Sequence, residues 1–565
     1  MDGMRLRFLL ITLSSLLIFG ACSSDTYDFI ITSSDPDAVN IENIVTPNDP
    51  DNHVHSELKQ PIDKDFLILF YINGDTPFND YAFYQMAQIG KGLRTVRRYD
   101  GETPKKSYNN ITALGLWDGY DKDATFTPNH YYPYTYLLEF TYPPQQYTRE
   151  IATDMKNFTI DHSNEIMKSE NNWLTEIQEA NLADYKTLKE FMSWSLSKYN
   201  SDNSKQVILF IVGTPGGSFG NETGSYIPPS ARSTCRDYSN ESFYLSANDI
   251  KKALNQNGFT SSNKMPLLVI DSGLCASLED SFELRDCVRS LLTCPSPAPA
   301  GGIDLNYFLS TLTKGTSIYE IGNKNVNIYA NRNYMNQYTS DGMASISFID
   351  LTTVETLGKN VNLLANSIIS RKDNKDIDNK YSIFDLMYNT TLKKGFLYFD
   401  DKAVDGITDE GMYYKALYQH KIPNTEYFTG YFYQFDLSYL AHTIQRKAEQ
   451  NGIEEIYYYS NQIIENLKEI IISSWRNGTN SKSGLYPVLN EKFHEKTPIQ
   501  FGMTITGPAR TQYSDPVSGY IYLQPYNFSD FEYKNYKYNN KSTWKNMLEL
   551  LFPDQFKENT YIYYK

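Results

Sequence analysis

Histidine and cysteine are both scarce, at 7 and 5 residues in a chain of 565. The only close histidine pair, His53 and His55, lies in a polar stretch with no further ligands nearby, so it reads as solvated linker and no metal centre is expected. No block of Lys or Arg stands out, and the formal net charge of −15 repels a phosphate backbone, which excludes nucleic acid as a partner. After the first 22 residues, no apolar run approaches the roughly 20 residues that a membrane-spanning helix needs. What the chain does have is apolar and aromatic residues, 41% and 15%, enough for a sizeable core. Its length suggests two domains, or one large α/β domain with an appended part.

The N-terminus determines the expected compartment. Arg5 and Arg7 precede a twelve-residue apolar stretch, Phe8–Phe19, and then Gly20-Ala21-Cys22. The stretch is too short to span a bilayer, and the small residues suit a signal peptidase. The segment resembles a bacterial lipoprotein signal, with Phe19 where such signals usually carry Leu. Cys22 would then be lipidated and become the new N-terminus. The alternative is an ordinary signal peptide with an incidental cysteine. Four cysteines remain: Cys235, Cys275, Cys287 and Cys294. Export permits three disulfide connectivities among them, while buried free thiols are at least as good a reading in a chain this large.

Residues 23–60 are rich in Ser, Asp, Asn and Pro and lack periodicity, as expected of a tether. From residue 61 the pattern alternates. DFLILFYINGD (65–75), NNITALGLWDG (109–119), TYLLEFTY (135–142) and SKQVILFIVGTPGG (204–217) read as strands, several apolar throughout and thus buried on both faces. YAFYQMAQIGKGL (81–93) and LADYKTLKEFMSWSLSKY (182–199) read as helices. SANDIKKALNQNG (246–258) is a helix with Ser246 or Asn248 as N-cap and Gly258 closing it. The alternation predicts a mostly parallel sheet covered by helices on both faces. Chemistry in such sheets gathers at the C-terminal strand ends, here Asp75, Asp118, Gly213–Gly217 and Asp271–Cys275.

The stretch LLVIDSGLCASLED (267–280) is a buried strand turning through small residues, followed by an expected helix over Glu279–Leu292. Further on, SISFIDLTTVETLGKNVNLLANSII (345–369) reads as a strand entering a helix capped at Thr352 or Thr353. QFDLSYLAHTIQRKAEQNG (434–452) and SNQIIENLKEIIISSW (460–475) read as helices. GMTITGP and GYIYLQP are strand-like, and a last helix surrounds TWKNMLELLF.

These motifs, taken in order, resemble the clostripain family of cysteine peptidases, relatives of caspases and gingipains. Tyr71-Ile72-Asn73-Gly74-Asp75 stands where the family's first strand runs into Tyr-Met-Ala-Ala-Asp-Asn. Phe191-Met192-Ser193-Trp194 matches a Phe-x-x-Trp helix end. DYSNESFYLSANDIKKAL (237–254), PAPAGGIDLNYFLSTL (297–312), IDLTTVETL, QFDLSYL, GMTITGP and TWKNML follow in family order. The similarity covers roughly residues 65–550. It implies a caspase-like, mostly parallel α/β core over 61–350, with an appended α+β region over 351–565.

The departures lie at the chemistry. Phe210-Ile211-Val212-Gly213 stands where the family carries Trp-Asp/Asn-His-Gly, so Val212 occupies the position of the catalytic base. Ile270-Asp271-Ser272-Gly273-Leu274-Cys275-Ala276-Ser277-Leu278-Glu279 stands where the family carries Phe-Asp-Ala-Cys-Leu-Met-Ala-x-x-Glu, so Gly273 occupies the nucleophile position. A thiolate, an imidazole and oxyanion donors are all required. Val and Gly supply neither of the first two, which predicts a pseudoenzyme with no catalytic residues. Cys275 is the weak alternative nucleophile. Moving the register to use it displaces Asp271, Leu274, Ala276 and Glu279, and neither His130 nor His162 is placed beside it by any motif. A structural thiol is the preferred reading, and Thr214 lacks a partner too.

By resemblance, Asp271 contributes to the pocket for a substrate Arg or Lys. Its competing role is a strand-end carboxylate capping backbone. The reading that follows is a lipid-anchored envelope protein of a Gram-negative bacterium that binds peptides with basic side chains without cutting them. No cofactor is expected, and only the resemblance leaves room for calcium. An active Arg/Lys-specific endopeptidase using Cys275 is the first alternative. A glycan-binding or structural surface protein is the second, supported by the C-terminal tyrosines.

Overall fold

The computed structural model describes residues 55–74, 85, 88–89, 110–119, 135–140, 180–213, 233–236, 244–273, 275–295, 302–335, 345–371, 413–420, 428–450, 452–476, 502–506, 510–514, 521–525, 543–551 and 562–563. Cys22, His53, Asp75, His130, His162 and Thr214 lie outside them, as does the signal segment. In chain order the strands are β1 (Asp65–Asn73), β2 (Ile111–Asp118), β3 (Thr135–Phe140), β4 (Lys205–Val212), β5 (Ser233–Arg236), β6 (Tyr244–Ser246), β7 (Met265–Asp271), β8 (Val288–Thr293), β9 (Ser345–Asp350), β10 (Tyr413–His420), β11 (Phe428–Asp436), β12 (Ile471–Arg476), β13 (Thr504–Thr506), β14 (Arg510–Ser514), β15 (Ile521–Pro525) and β16 (Ile562–Tyr563). The helices are α1 (Tyr185–Tyr199), α2 (Ala247–Gln256), α3 (Leu278–Leu284), α4 (Leu305–Ser310), α5 (Ile318–Met335), α6 (Val354–Ser370), α7 (Leu437–Gln450), α8 (Glu454–Ile470) and α9 (Thr543–Leu551).

An eight-stranded sheet in the order β12-β9-β8-β7-β4-β1-β2-β3 forms the centre. The five middle strands, β8, β7, β4, β1 and β2, run parallel, with antiparallel strands at both edges. This is the expected mostly parallel α/β sheet. Successive side chains of a strand point to opposite faces, so a continuous apolar run feeds two cores at once. Leu67, Leu69 and Tyr71 of β1 pack on one face with α1, α2, α6, α7 and α8. Phe66, Ile68, Phe70 and Ile72 pack on the other with α4 and α5.

Caps mark the helix starts. Ser246 heads α2 in a capping box with Asp249, as one of the two expected positions. Asp184 caps α1 through Lys186 N. Thr353 occupies the cap position of α6 without a side-chain hydrogen bond, and the amide and hydroxyl of the preceding Thr352 both donate to Asp350.

Two expected helices end earlier than the sequence suggests. The helix expected over Glu279–Leu292 ends at Leu284, and VRSLLT forms β8 instead. The helix expected over 460–475 ends at Ile470, where Ile471 turns to extended backbone and begins β12. In both, the β-branched or apolar tail gains more by pairing in the sheet than by continuing a helix. β12 joins the central sheet beside β9, and Val354, Leu467 and Ile471 share one core with Leu67 and Ile270. A boundary at residue 350 therefore does not separate two cores. The appended part is the second, antiparallel sheet, β10-β11-β14-β15-β16, with β13 beside β11.

His55 is not the solvated linker residue expected. Its side chain is 12% exposed, and Nδ1 pairs with Asp350 Oδ2 at 2.7 Å. Leu58 beside it is buried, its carbonyl accepts from Tyr319 N, and Glu57 meets Arg289 at 2.8 Å. Residues from His55 onward therefore belong to the folded part, inside the stretch that composition assigned to the tether. Burial raises the Asp350 carboxyl, but hydrogen bonds from His55 and Thr352 outweigh it and hold the group below its ordinary value.

Candidate functional site

β1 lies between β2 and β4, so the chain order reverses at the β1–β4 boundary. The crevice at the C-terminal ends on that boundary is where open α/β sheets take ligands. The groups there come from Asn73 on β1, Val212 and Gly213 on β4, and Asp271 to Gly273 on β7. Val212 aligns with Ile72 on one side and Asp271 on the other. Gly213 N then donates to Asp271 O at 3.1 Å, which continues the β4–β7 ladder past the strand end. Val212 and Asp271 thus stand side by side, and Gly273 follows two residues past the end of β7.

Val212 is fully buried in the core on the α4–α5 face. No proton can be taken or given at that position. Gly273 presents only backbone. Two residues on, Cys275 is 2% exposed, and its thiol donates to Gly273 O at 3.3 Å. Its own amide donates to Cys294 O at 3.1 Å, and the next carbonyl, of Ala276, accepts from Thr504 N at 2.9 Å. This segment is thus held from both sides, by the strand end of β8 and by β13 of the second sheet. Ser277 then caps α3 through Asp280 N and also donates to the Asp280 carboxylate.

Cys275, Cys287 and Cys294 are all buried thiols, in keeping with the second of the two readings of the cysteines. Burial pushes the Cys287 thiol up to about 12. It pushes Cys294 up as well, and the Asp271 carboxylate adds to that shift while the Tyr329 hydroxyl opposes it. Neither Cys287 nor Cys294 is a thiolate at neutral pH.

Asp271 is 1% exposed. Its Oδ2 accepts from Ile303 N at 3.0 Å and from Gln85 Nε2 at 3.3 Å. Gln88, one turn further along the same helical segment, accepts from Leu305 N at 2.9 Å. Asp304 between them caps α4 through Tyr307 N. Asp271 thus tethers the entry to α4, a backbone role played on a segment distant in the chain. Sequence reasoning missed Gln85 and Gln88. Their signal was two amides three residues apart in the expected helix over 81–93, a spacing that puts both on one helix face.

Among the described residues, no group of three or more His, Cys, Asp or Glu side chains is placed to hold a metal ion. Among the same residues, no helix is long and apolar enough to cross a membrane.

Comparison with known proteins places this geometry in context. A secreted C11 cysteine protease from Bacteroides thetaiotaomicron, solved with an irreversible peptide inhibitor, is 12% identical, with 85% of this chain and 99% of that one covered at a TM-score of 0.45. An inactive zymogen C11 protease from Parabacteroides distasonis is also 12% identical, with 79% and 92% covered at 0.40. No curated protein matches the chain. The sequence profile of the clostripain family, peptidase family C11, matches residues 148–550, well over half the length. With that match and its mostly parallel α/β sheet, the chain belongs to the clostripain family.

Proposed function

We propose that this chain is a catalytically inactive clostripain homologue, anchored in the bacterial cell envelope through a lipid on Cys22, which keeps the peptidase scaffold for binding rather than hydrolysis. The observation that carries the reading is the pair of residues at the family's base and nucleophile positions, Val212 and Gly273. Val212 closes β4 and Gly273 lies two residues past the end of the neighbouring parallel strand β7, the region where an imidazole and a thiolate would have to meet. Cys275 gives little support to a displaced nucleophile, since it is buried and bonded to its own turn.

The binding half of the proposal concerns peptides with basic side chains. A carboxylate at Asp271 suits an Arg or Lys partner. Because Asp271 already accepts the Ile303 amide, a basic side chain reaches it only by displacing the 302–303 segment. Binding is therefore expected to be weak and coupled to movement of α4.

Purified protein incubated with Arg- and Lys-based fluorogenic peptides, with and without calcium, should show no turnover. Turnover abolished by Cys275→Ala would overturn the pseudoenzyme reading. Calorimetry with an Arg-containing peptide should give an affinity that Asp271→Asn weakens. A wild type that binds no such peptide leaves an inert scaffold and removes the binding half. The anchor is tested separately: Cys22→Ala should move the protein from the membrane fraction to the soluble one, and unchanged fractionation refutes lipidation at that residue.

A further inference from the structure

The end of the sheet opposite Asp271 carries a groove of about 580 Å³, within the range of roughly 300–1,000 Å³ typical of ligand sites. It is formed where β1, β4 and β7 begin, roughly 25 Å from their C-terminal ends at the rise of a parallel strand. Lys64 enters from the residue before β1, Lys205 from the first residue of β4, and Lys264 from the residue before β7. The parallel alignment of three strands brings these lysines to one edge from positions up to 200 residues apart.

The lining is chemically one-sided. Lys64, Lys205 and Lys264 line the groove with Asn200, Asn257 and Asn263, and no Asp or Glu is among its described lining residues. The Asn257 amide donates to the carbonyls of Lys189 and Ala253 and that of Asn263 to Gly258 O, so the charge of the lining comes from the lysines. In a chain of net charge −15 this is a local reversal of sign. Two of the lysines are held by neutral acceptors. Lys64 Nζ donates to Asn203 O at 3.0 Å, and Lys205 Nζ to Thr112 Oγ1 at 3.3 Å. Among the described residues, none of the three lysines forms an ion pair. Asp202, the carboxylate closest to Lys205 along the chain, accepts from Ser204 N and feels the Lys205 charge only as a lesser influence, without pairing with it. The charges are positioned without being neutralised, which is how a site for an anion differs from a salt-bridged surface. The loop that carries Asn200 and Asn203 is itself well braced. Asn200 Oδ1 accepts from Lys205 N, and Asn203 takes the left-handed conformation at φ 55°.

We propose that this groove is a binding site for a ligand bearing several phosphate, sulfate or carboxylate groups, separate from the peptidase-type crevice. Because it draws on other residues at the other end of the sheet, it stands whether or not the chain hydrolyses peptides.

Titration calorimetry of the full chain at low salt tests it with three probes: inositol hexakisphosphate, a sulfated heparin hexasaccharide and a trigalacturonate. At least one should bind, with an affinity that falls as salt is raised. The triple variant Lys64→Gln, Lys205→Gln, Lys264→Gln should lose about tenfold or more, as expected when charge-assisted hydrogen bonds are removed. Lys252→Gln, an exposed lysine paired with Asp249 outside the groove, should bind as the wild type does. Which probe binds identifies the oxyanion. Failure of all three probes overturns the proposal, as does a triple variant that binds undiminished. Should the triple variant not fold, the single variants Lys64→Gln and Lys264→Gln each carry the same test, with a loss of about threefold expected.

Discussion

Phe210→Ala should lower the unfolding free energy of the central sheet by about 3–5 kcal/mol, the usual cost of emptying a fully buried aromatic site. Phe210 sits in the middle of β4, with its ring 5.5 Å from Phe70 on β1 and 5.0 Å, edge-on, from Phe308 on α4. It is the packing link between the strand that carries Val212 and the helix whose entry Asp271 holds. The loss should therefore exceed simple area burial and loosen α4 as well. Denaturant unfolding of wild type, Phe210→Ala and Phe210→Leu checks this. The Leu variant, which fills most of the site, should lose far less. Equal losses in the two variants would mean that packing against Phe308 is not what matters.

Lys251→Met should cost about 3 kcal/mol at neutral pH, for a different reason. Lys251 on α2 meets Glu283 on α3 at 2.8 Å, and Glu283 is 3% exposed. Asp286 adds a second contact to the same ammonium at 3.4 Å. Removing the cation leaves a buried carboxylate without its main counter-charge, and such a loss is much larger than the net worth of the pair. Lys251→Arg, which keeps the cation, should recover most of the stability, and denaturant unfolding of the two variants checks this. Equal losses in Lys251→Arg and Lys251→Met would refute the buried-charge explanation.

Much of the central sheet is legible in the sequence because parallel strands buried on both faces have to be apolar at every position. DFLILFYIN, KQVILFIV and LLVID leave no other reading, and the family order of the motifs follows from the same strands. The edges are harder to read. VRSLLT follows a helix after one turn and IIISSW continues one directly, and a short apolar segment shows the same composition in a strand as in the last turns of a helix. Only the presence of β9 between them, offering a free edge to each, decides for the strand.

The candidate site divides in the same way. That position 212 carries no imidazole and position 273 no side chain is a property of the sequence alone, as are the net charge, the scarcity of histidine and the membership in the clostripain family that the ordered motifs implied. The tertiary structure decided how the remaining groups are used. Asp271 is spent on Ile303 N and Gln85, 32 and 186 residues away. His55 closes onto Asp350 across 295 residues, and three lysines from separate strand starts meet at one groove. A carboxylate or an ammonium carries the same charge wherever it stands in the chain. Its partner is chosen by which strand ends the sheet brings side by side, and that choice is made by long-range packing rather than by any local pattern.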